Sequence, residues 1–227
     1  MDKIKVILIG ESGEGKTCIM AQYTKERFIN ETLPTIASDK VLKKIEINNK
    51  PLTLELWDTV GQEKYRSVNK IFMKNTQIAL IVYDITLKRT FEQLNYWIET
   101  ITNCNKNSKV IIGIIANKSD LFEQQVVSRE EGKKFADENN CLFFETSAKD
   151  YKSIEKSFTM LCSSYLEYSE TKKKENEIKE KNNIKNNDDD NDDDNDEEIR
   201  RNTHYLDRKT LTDKKKGCCR KDEVFIE

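Results

Sequence analysis

"GESGEGKT", residues 10–17, follows directly on the apolar stretch Ile4-Lys5-Val6-Ile7-Leu8-Ile9. The apolar stretch reads as a buried strand. What comes next fits the spacing GxxxxGK[ST], carried by Gly10, Gly15, Lys16 and Thr17. Glycines let the main chain curl until successive N–H groups point at one place, and a helix opening at Lys16 adds the positive end of its dipole there. Such a place suits phosphate. Lys16 supplies charge to the outer phosphates, and the Thr17 hydroxyl can ligate Mg2+. The bland alternative is a glycine-rich turn with no ligand. A chance match in a chain of this length is on the order of one in a hundred, and the position between strand and helix argues against it. The loop alone leaves ATP and GTP open, and equally a kinase and a switch.

The rest of the chain supplies a sheet for this loop. A helix runs from Lys16 to about Arg27, then a loop through "FINETLPT" (28–35), where Pro34 forces Leu33 into extended geometry. Val41–Ile47 and Leu52–Trp57 alternate around the turn "NNK" (48–50) and predict a hairpin. "QIALIVYD" (77–84) and "KVIIGIIAN" (109–117) are nearly continuous apolar runs, the signature of strands buried on both faces of a parallel sheet. Phe91, Leu94, Trp97, Ile98 and Ile101 fall at helical spacing between them. Ser128–Glu131 predicts a capping box, "LFFET" (142–146) a last strand, and Ile154, Phe158, Leu161, Cys162 and Tyr165 the apolar stripe of a final helix. Strands alternating with helices define an α/β domain with a mostly parallel sheet flanked by helices.

That domain is expected over 1–168. Beyond it the composition changes: between Glu170 and Asn202 the apolar residues are only Ile178, Ile184 and Ile199, and Asp188–Glu198 is almost wholly acidic. The expectation for 169–227 is a disordered tail, since it cannot bury enough surface to offset the entropy of ordering it.

Several chemistries are excluded. The only histidine is His204, in the polar tail, so no histidine base sits in a folded pocket and no His/Cys zinc site can be built. A net charge of -2 gives no basic bias toward nucleic acid. No apolar run approaches the length needed to span a bilayer, and "VIIGIIA" (110–116) is the longest notable one. Met1-Asp2-Lys3 lacks a secretory signal and has aspartate where myristoylation requires glycine. Cys18, Cys104, Cys141 and Cys162 are scattered and read as small core residues in a reducing compartment.

Three further stretches bear on the ligand. In "NKSD" (117–120), the Asp120 carboxylate can accept from the N1–H and 2-amino groups of guanine; adenine would face it with a lone pair. Asn117 would brace the loops and the Lys118 stem would cover the base. In "ETSAK" (145–149), amides near Ala148 could meet the guanine O6. In "LELWDTVGQE" (54–63), Asp58 ends a strand and can hold a water of the Mg2+ shell, Gly61 can place an N–H near the γ-phosphate, and Gln62 can orient the attacking water, because an amide donates and accepts at once. Each stretch alone could be an ordinary polar loop; their spacing behind one phosphate loop joins them.

Together, GESGEGKT, Thr35, WDTVGQE, NKSD and ETSAK resemble the small GTPases of the Ras superfamily over roughly Asp2 to Tyr168. Ser12, Trp57 within WDTVGQE, and a tail with adjacent cysteines are most similar to the Rab branch. The resemblance implies a P-loop G domain with a six-stranded, mostly parallel sheet. It implies GTP or GDP held by Gly13, Glu14, Gly15, Lys16, Thr17, Cys18, Phe28, Thr35, Gly61, Asn117, Lys118, Asp120, Ser147, Ala148 and Lys149. Mg2+ would be held through Thr17, Thr35 and Asp58, with Gln62 as the catalytic residue and Phe28 stacked on the base. Loops around 32–40 and 60–75 would respond to the γ-phosphate. An exchange factor, a GTPase-activating protein and effectors follow as partners of a monomer working on the cytoplasmic face of an intracellular membrane and cycling with the cytosol.

Four departures carry their own expectations. Glu14 stands where a small apolar residue is usual, and its charge should weaken phosphate binding or shift exchange unless it points to solvent. Val60 replaces an alanine beside the γ-phosphate, so intrinsic hydrolysis should be slow. Lys40 replaces an aromatic and alters effector choice. Cys218-Cys219, the expected lipid anchor beside Lys214–Lys216, Arg220 and Lys221, are followed by the eight residues "RKDEVFIE". The alternatives are a Ras-type signalling GTPase, a slow or pseudo-GTPase acting as a nucleotide-dependent binding module, and a P-loop kinase for a small acceptor.

Overall fold

The computed structural model describes residues 2–28, 39–59 and 66–188. In chain order the elements are β1 (Asp2–Ile9), α1 (Lys16–Lys25), β2 (Asp39–Ile47), β3 (Lys50–Asp58), α2 (Arg66–Met73), β4 (Ile78–Asp84), α3 (Lys88–Glu92), α4 (Leu94–Cys104), β5 (Ile111–Asn117), a 3₁₀ turn (Ser119–Gln124), α5 (Arg129–Glu138), β6 (Leu142–Glu145) and α6 (Tyr151–Asp188). Six strands form one sheet in the order β2-β3-β1-β4-β5-β6. Only β2 and β3 are antiparallel; every other neighbouring pair is parallel. The α/β expectation with a six-stranded, mostly parallel sheet is met.

The sheet separates two apolar layers, and the alternation along the central strands assigns residues to each. Ile4, Val6 and Leu8 of β1 and Ile78, Leu80 and Val82 of β4 join α1 and α6 through Ile19, Met20, Tyr23, Ile154, Phe158, Leu161 and Cys162. Ile7, Ile9, Ala79, Ile81 and Tyr83 face the other layer with Met73, Leu94, Trp97, Ile101 and Ala136. Tyr23 and Phe158 stack with centroids 3.9 Å apart, which locks α1 to α6. Burial pushes the Cys162 thiol up to about 12 and the Cys141 thiol up to about 11, so neither is a ready nucleophile.

The elements refine the sequence expectation at several points. The β2–β3 turn places Asn48 and Asn49 at φ 52 and 60, the left-handed pair that asparagine tolerates and that matches the strand twist. The helix read through Phe91–Ile101 is interrupted at Gln93 into α3 and α4. Ser128 caps α5 by accepting from the Glu131 amide at 3.1 Å, while the Glu131 carboxylate pairs with Lys88.

The first compact unit is Met1–Lys172 and the second is Lys173–Glu227. Of the second, 173–188 are described, and they are helical. The described helix thus runs through Asp188, past the boundary expected at 168. The stretch "ETKKKENEIKEK" (170–181) combines good helix formers with opposite charges four apart, as in Glu170/Lys174 and Glu175/Lys179, and these favour helix without any core. Among the described residues, no helix is long and apolar enough to cross a membrane.

β1 lies between β3 and β4, the point where successive strands depart in opposite directions. Open sheets of this kind place their ligand crevice beyond the carboxyl ends of the strands at that switch. The loop 10–15, Asp58, Asn117–Asp120 and Thr146–Lys149 all leave strands at this edge.

Candidate functional site

Gly15 caps α1 with φ 94, a left-handed value that disfavours any side chain. A Cβ there would also lie 2.5 Å from the Asn117 amide nitrogen. The loop can turn into the helix only because that position is bare. α1 carries no acidic residue in its first turn, so its dipole keeps its positive end for an anion.

Lys16 is 5 % exposed and bends back over the loop, where its Nζ donates to the Gly10 carbonyl at 3.1 Å and the Glu11 carbonyl at 2.5 Å. Burial lowers its pKa, and the acidic side chains around it, Glu14, Asp58 and Glu11, oppose that in so far as they are ionised. The Thr17 hydroxyl donates to Asp58 Oδ2 at 2.6 Å. Two hard oxygen groups predicted to serve Mg2+ thus meet across the site from α1 and β3, and the donor set fits that ion. Thr59 fixes the exit of β3 by donating to the Leu8 carbonyl at 2.7 Å.

Asn117 is fully buried and joins three loops. Its Nδ2 donates to the Glu14 carbonyl at 2.6 Å, and its Oδ1 accepts from the Thr146 hydroxyl at 3.3 Å. Ser119 N–H donates to the Thr146 carbonyl at 3.0 Å, which tightens the last two. The bracing role expected of Asn117 is realised in these bonds.

Asp120 sits at the other end of the site. Its Oδ1 accepts from the Ser147 hydroxyl and its Oδ2 from Lys149 Nζ, both at 2.7 Å. Burial raises its pKa, but the bonds from Lys149 and Ser147 outweigh this and leave it below the ordinary aspartate value. A carboxylate in that state only accepts, one donor per oxygen, which is what guanine N1–H and its 2-amino group offer. Lys149 Nζ also lies 5.8 Å from the centre of the half-buried Phe28 ring, so Phe28, Lys149 and Asp120 converge where the base is expected. Ala148 is buried between Ser147 and Lys149. Lys118 takes a left-handed φ of 66, and its ammonium pairs with the buried Asp84 at 2.5 Å, which fixes its stem at this edge.

Glu14 does not point to solvent: it is 1 % exposed and its carboxyl packs against Gly10. Gly13, beside it, has open space where a Cβ would stand, and Cys18 is half-buried in the first turn of α1. Thr35, Val60, Gly61 and Gln62, together with Cys218 and Cys219, lie outside the described residues. The sequence reading missed Asp84 and Thr146. Both had a signal: each is a polar residue at the end of an apolar strand, on the edge shared with Asp58 and Asn117.

The family model described as "Ras family" matches residues 5–167.

Proposed function

Since the chain belongs to the Ras family, whose members are guanine-nucleotide switches and generally GTPases, we propose that it is a Rab-type switch of vesicle trafficking. It works on the cytoplasmic face of an intracellular membrane and exchanges with the cytosol. The observation that carries the nucleotide reading is the Asn117 side chain. One amide ties the phosphate loop to the two loops holding Asp120, so both ends of a guanine nucleotide are gripped by one framework.

In this reading the loop amides and Lys16 hold the phosphates, Asp120 and Phe28 hold guanine, and Gln62 orients water for attack on the γ-phosphorus. Mg2+ held through Thr17, Asp58 and Thr35 would supply positive charge to the phosphate oxygens. Residues 10–17, 28–40 and 57–65 carry no arginine to share the charge of the transition state, so turnover is slow until an activating protein contributes one. Val60, in place of the alanine usual in the family, adds bulk that slows turnover further. Single-turnover cleavage by Val60→Ala is expected to be faster than wild type; an equal rate removes that role for Val60.

The Rab assignment is supported by Ser12, by Trp57 in WDTVGQE and by the adjacent tail cysteines. Lys40 departs from the branch in a defined way: its Nζ lies 5.5 Å from the Trp57 ring centre and 3.9 Å from Glu55, whose carboxylate accepts from Trp57 Nε1. A charged rim in place of an aromatic one calls for effectors with acidic or polar contacts there.

Two experiments test the proposal. GTP and GDP should displace a fluorescent guanine nucleotide while ATP in about a thousandfold excess does not; equal competition by ATP refutes the guanine site. Tagged protein should decorate an internal membrane and become soluble when Cys218-Cys219 are replaced. A plasma-membrane location favours the Ras-type signalling alternative, and a soluble wild type removes the lipid anchor.

A further inference from the structure

Glu14 presents a buried carboxyl group that the switch does not use. Neither oxygen makes a full hydrogen bond to any described residue; the Glu11 amide faces the group but falls short of one. A Cβ built on Gly10 would collide with Glu14 Oε2 and would lie 2.5 Å from the Val82 carbonyl oxygen. The carboxyl therefore packs against the α carbon of Gly10, beside a main-chain acceptor at the end of β4. Lys16, the cation that acts on the group, directs its Nζ to the Gly10 and Glu11 carbonyls.

The charged groups around this pocket come from every element packed on it. Lys16 faces it from α1, Glu11 from the loop and Asp84 from β4. Asp58 of β3 faces Lys16, and Lys118 pairs with Asp84. A third negative charge beside Glu11 and Asp84, faced by the Glu11 amide short of a full hydrogen bond, is unfavourable, whereas a neutral acid carries an O–H able to face a carbonyl.

We propose that Glu14 is carried as an uncharged acid behind the phosphate loop and that its proton sets how firmly the loop retains nucleotide. Glu14 acts through the loop and Lys16 and so is a positioning residue. When Glu14 ionises, its charge competes with the phosphates for Lys16 and repels them across a thin layer of main chain. Bound phosphate in turn makes the proton harder to remove. Affinity for nucleotide then falls as pH rises, between the point where the empty protein loses this proton and the higher point where the bound protein does. Burial, the largest influence on the group, drives it in the same direction by raising its pKa well above the ordinary glutamate value.

The proposal rests on the guanine-switch reading, and the test keeps the two apart. The release rate and affinity of a fluorescent GDP are measured from about pH 5 to pH 9 for the full chain and for Glu14→Gln, an uncharged isostere. The ratio of wild-type to Glu14→Gln affinity should fall by up to about tenfold per pH unit over part of that range; titration of the nucleotide is common to both proteins and cancels. Parallel profiles overturn the proposal. Infrared difference spectra of the nucleotide-free proteins at neutral pH give a readout independent of any ligand. Wild type should show the C=O stretch of a protonated carboxyl that Glu14→Gln lacks, and its absence overturns the proposal even where no nucleotide binds.

Discussion

One site holds two carboxylates in opposite conditions. Asp120, at the base end, is partly open to water and has a donor on each oxygen. Glu14, at the phosphate end, is sealed from water and has no full hydrogen bond on either. The same functional group is pushed towards ionisation in one place and towards neutrality in the other. Depth and partners together decide which way a carboxylate goes: burial raises both, and at the partly open Asp120 the bonds from Lys149 and Ser147 reverse it. An acceptor-only group suits a base that offers two donors, and a neutral group suits a loop that must tolerate phosphate.

Removing the paired member should have the largest effect. Asp120→Ala is expected to weaken GDP by about 3 kcal/mol or more, a hundredfold or greater, since each charge-assisted bond contributes about 1.5–3 kcal/mol. Inosine diphosphate, which lacks the 2-amino group, should bind this variant as well as GDP does. A retained preference for GDP would show that Asp120 does not read the base.

Cutting the link between the two ends comes next. Asn117→Ala loses buried bonds to the Glu14 carbonyl and to Thr146, with an expected loss of about 2–4 kcal/mol in urea unfolding of the nucleotide-free protein. An unchanged midpoint would mean that the loops stand independently.

Relieving the unpaired member should stabilise the protein. A glutamate whose folded pKa is raised contributes fully only below the unfolded value of 4.5, and that contribution is lost as pH rises towards the folded value. Glu14→Val should therefore exceed wild type by about 1–3 kcal/mol at neutral pH and by less near pH 5. A gap that is constant with pH would place the gain in packing alone.

The smallest effect belongs to Lys149→Ala. Asp120 sits below its ordinary value, so its stabilisation is present above that value and lost as pH falls through the folded one. Without Lys149 the loss should begin at higher pH, visible as a shifted acid limb in denaturant midpoints. The pair is exposed enough that water screening holds the difference below about 1 kcal/mol.

Most of the frame was legible in the residues because the relevant signals are local. Continuous apolar runs gave β4 and β5, alternation gave the β2–β3 hairpin, and glycine spacing gave the phosphate loop. The positions of Asp58 and Asn117 at strand ends, and of Lys16, Thr17 and Asp120 in the segments that follow strands, came from the same runs. The direction of the Glu14 side chain was not legible, because it depends on the space between Gly10 and Val82, two strands that meet only in the fold. The Lys149 bond to Asp120 spans 29 residues and has no sequence signature. Helix beyond Tyr168 was hidden by a composition shared by solvated helices and unfolded chains. Its charge spacing, rather than its charge content, separated the two.

The buried Asn117 amide also limits where this chain can change length. It spans 103 residues to reach one carbonyl of the phosphate loop and 29 to reach Thr146. An inserted or deleted residue in 10–15, 117–120 or 145–149 would move one of these groups out of reach of a single short side chain. The Asn48-Asn49 hairpin, at the far edge of the sheet and tied to nothing comparable, can be lengthened at little cost. Epitopes, reporter peptides or an inserted domain belong at that turn, where the nucleotide-binding edge would not register them.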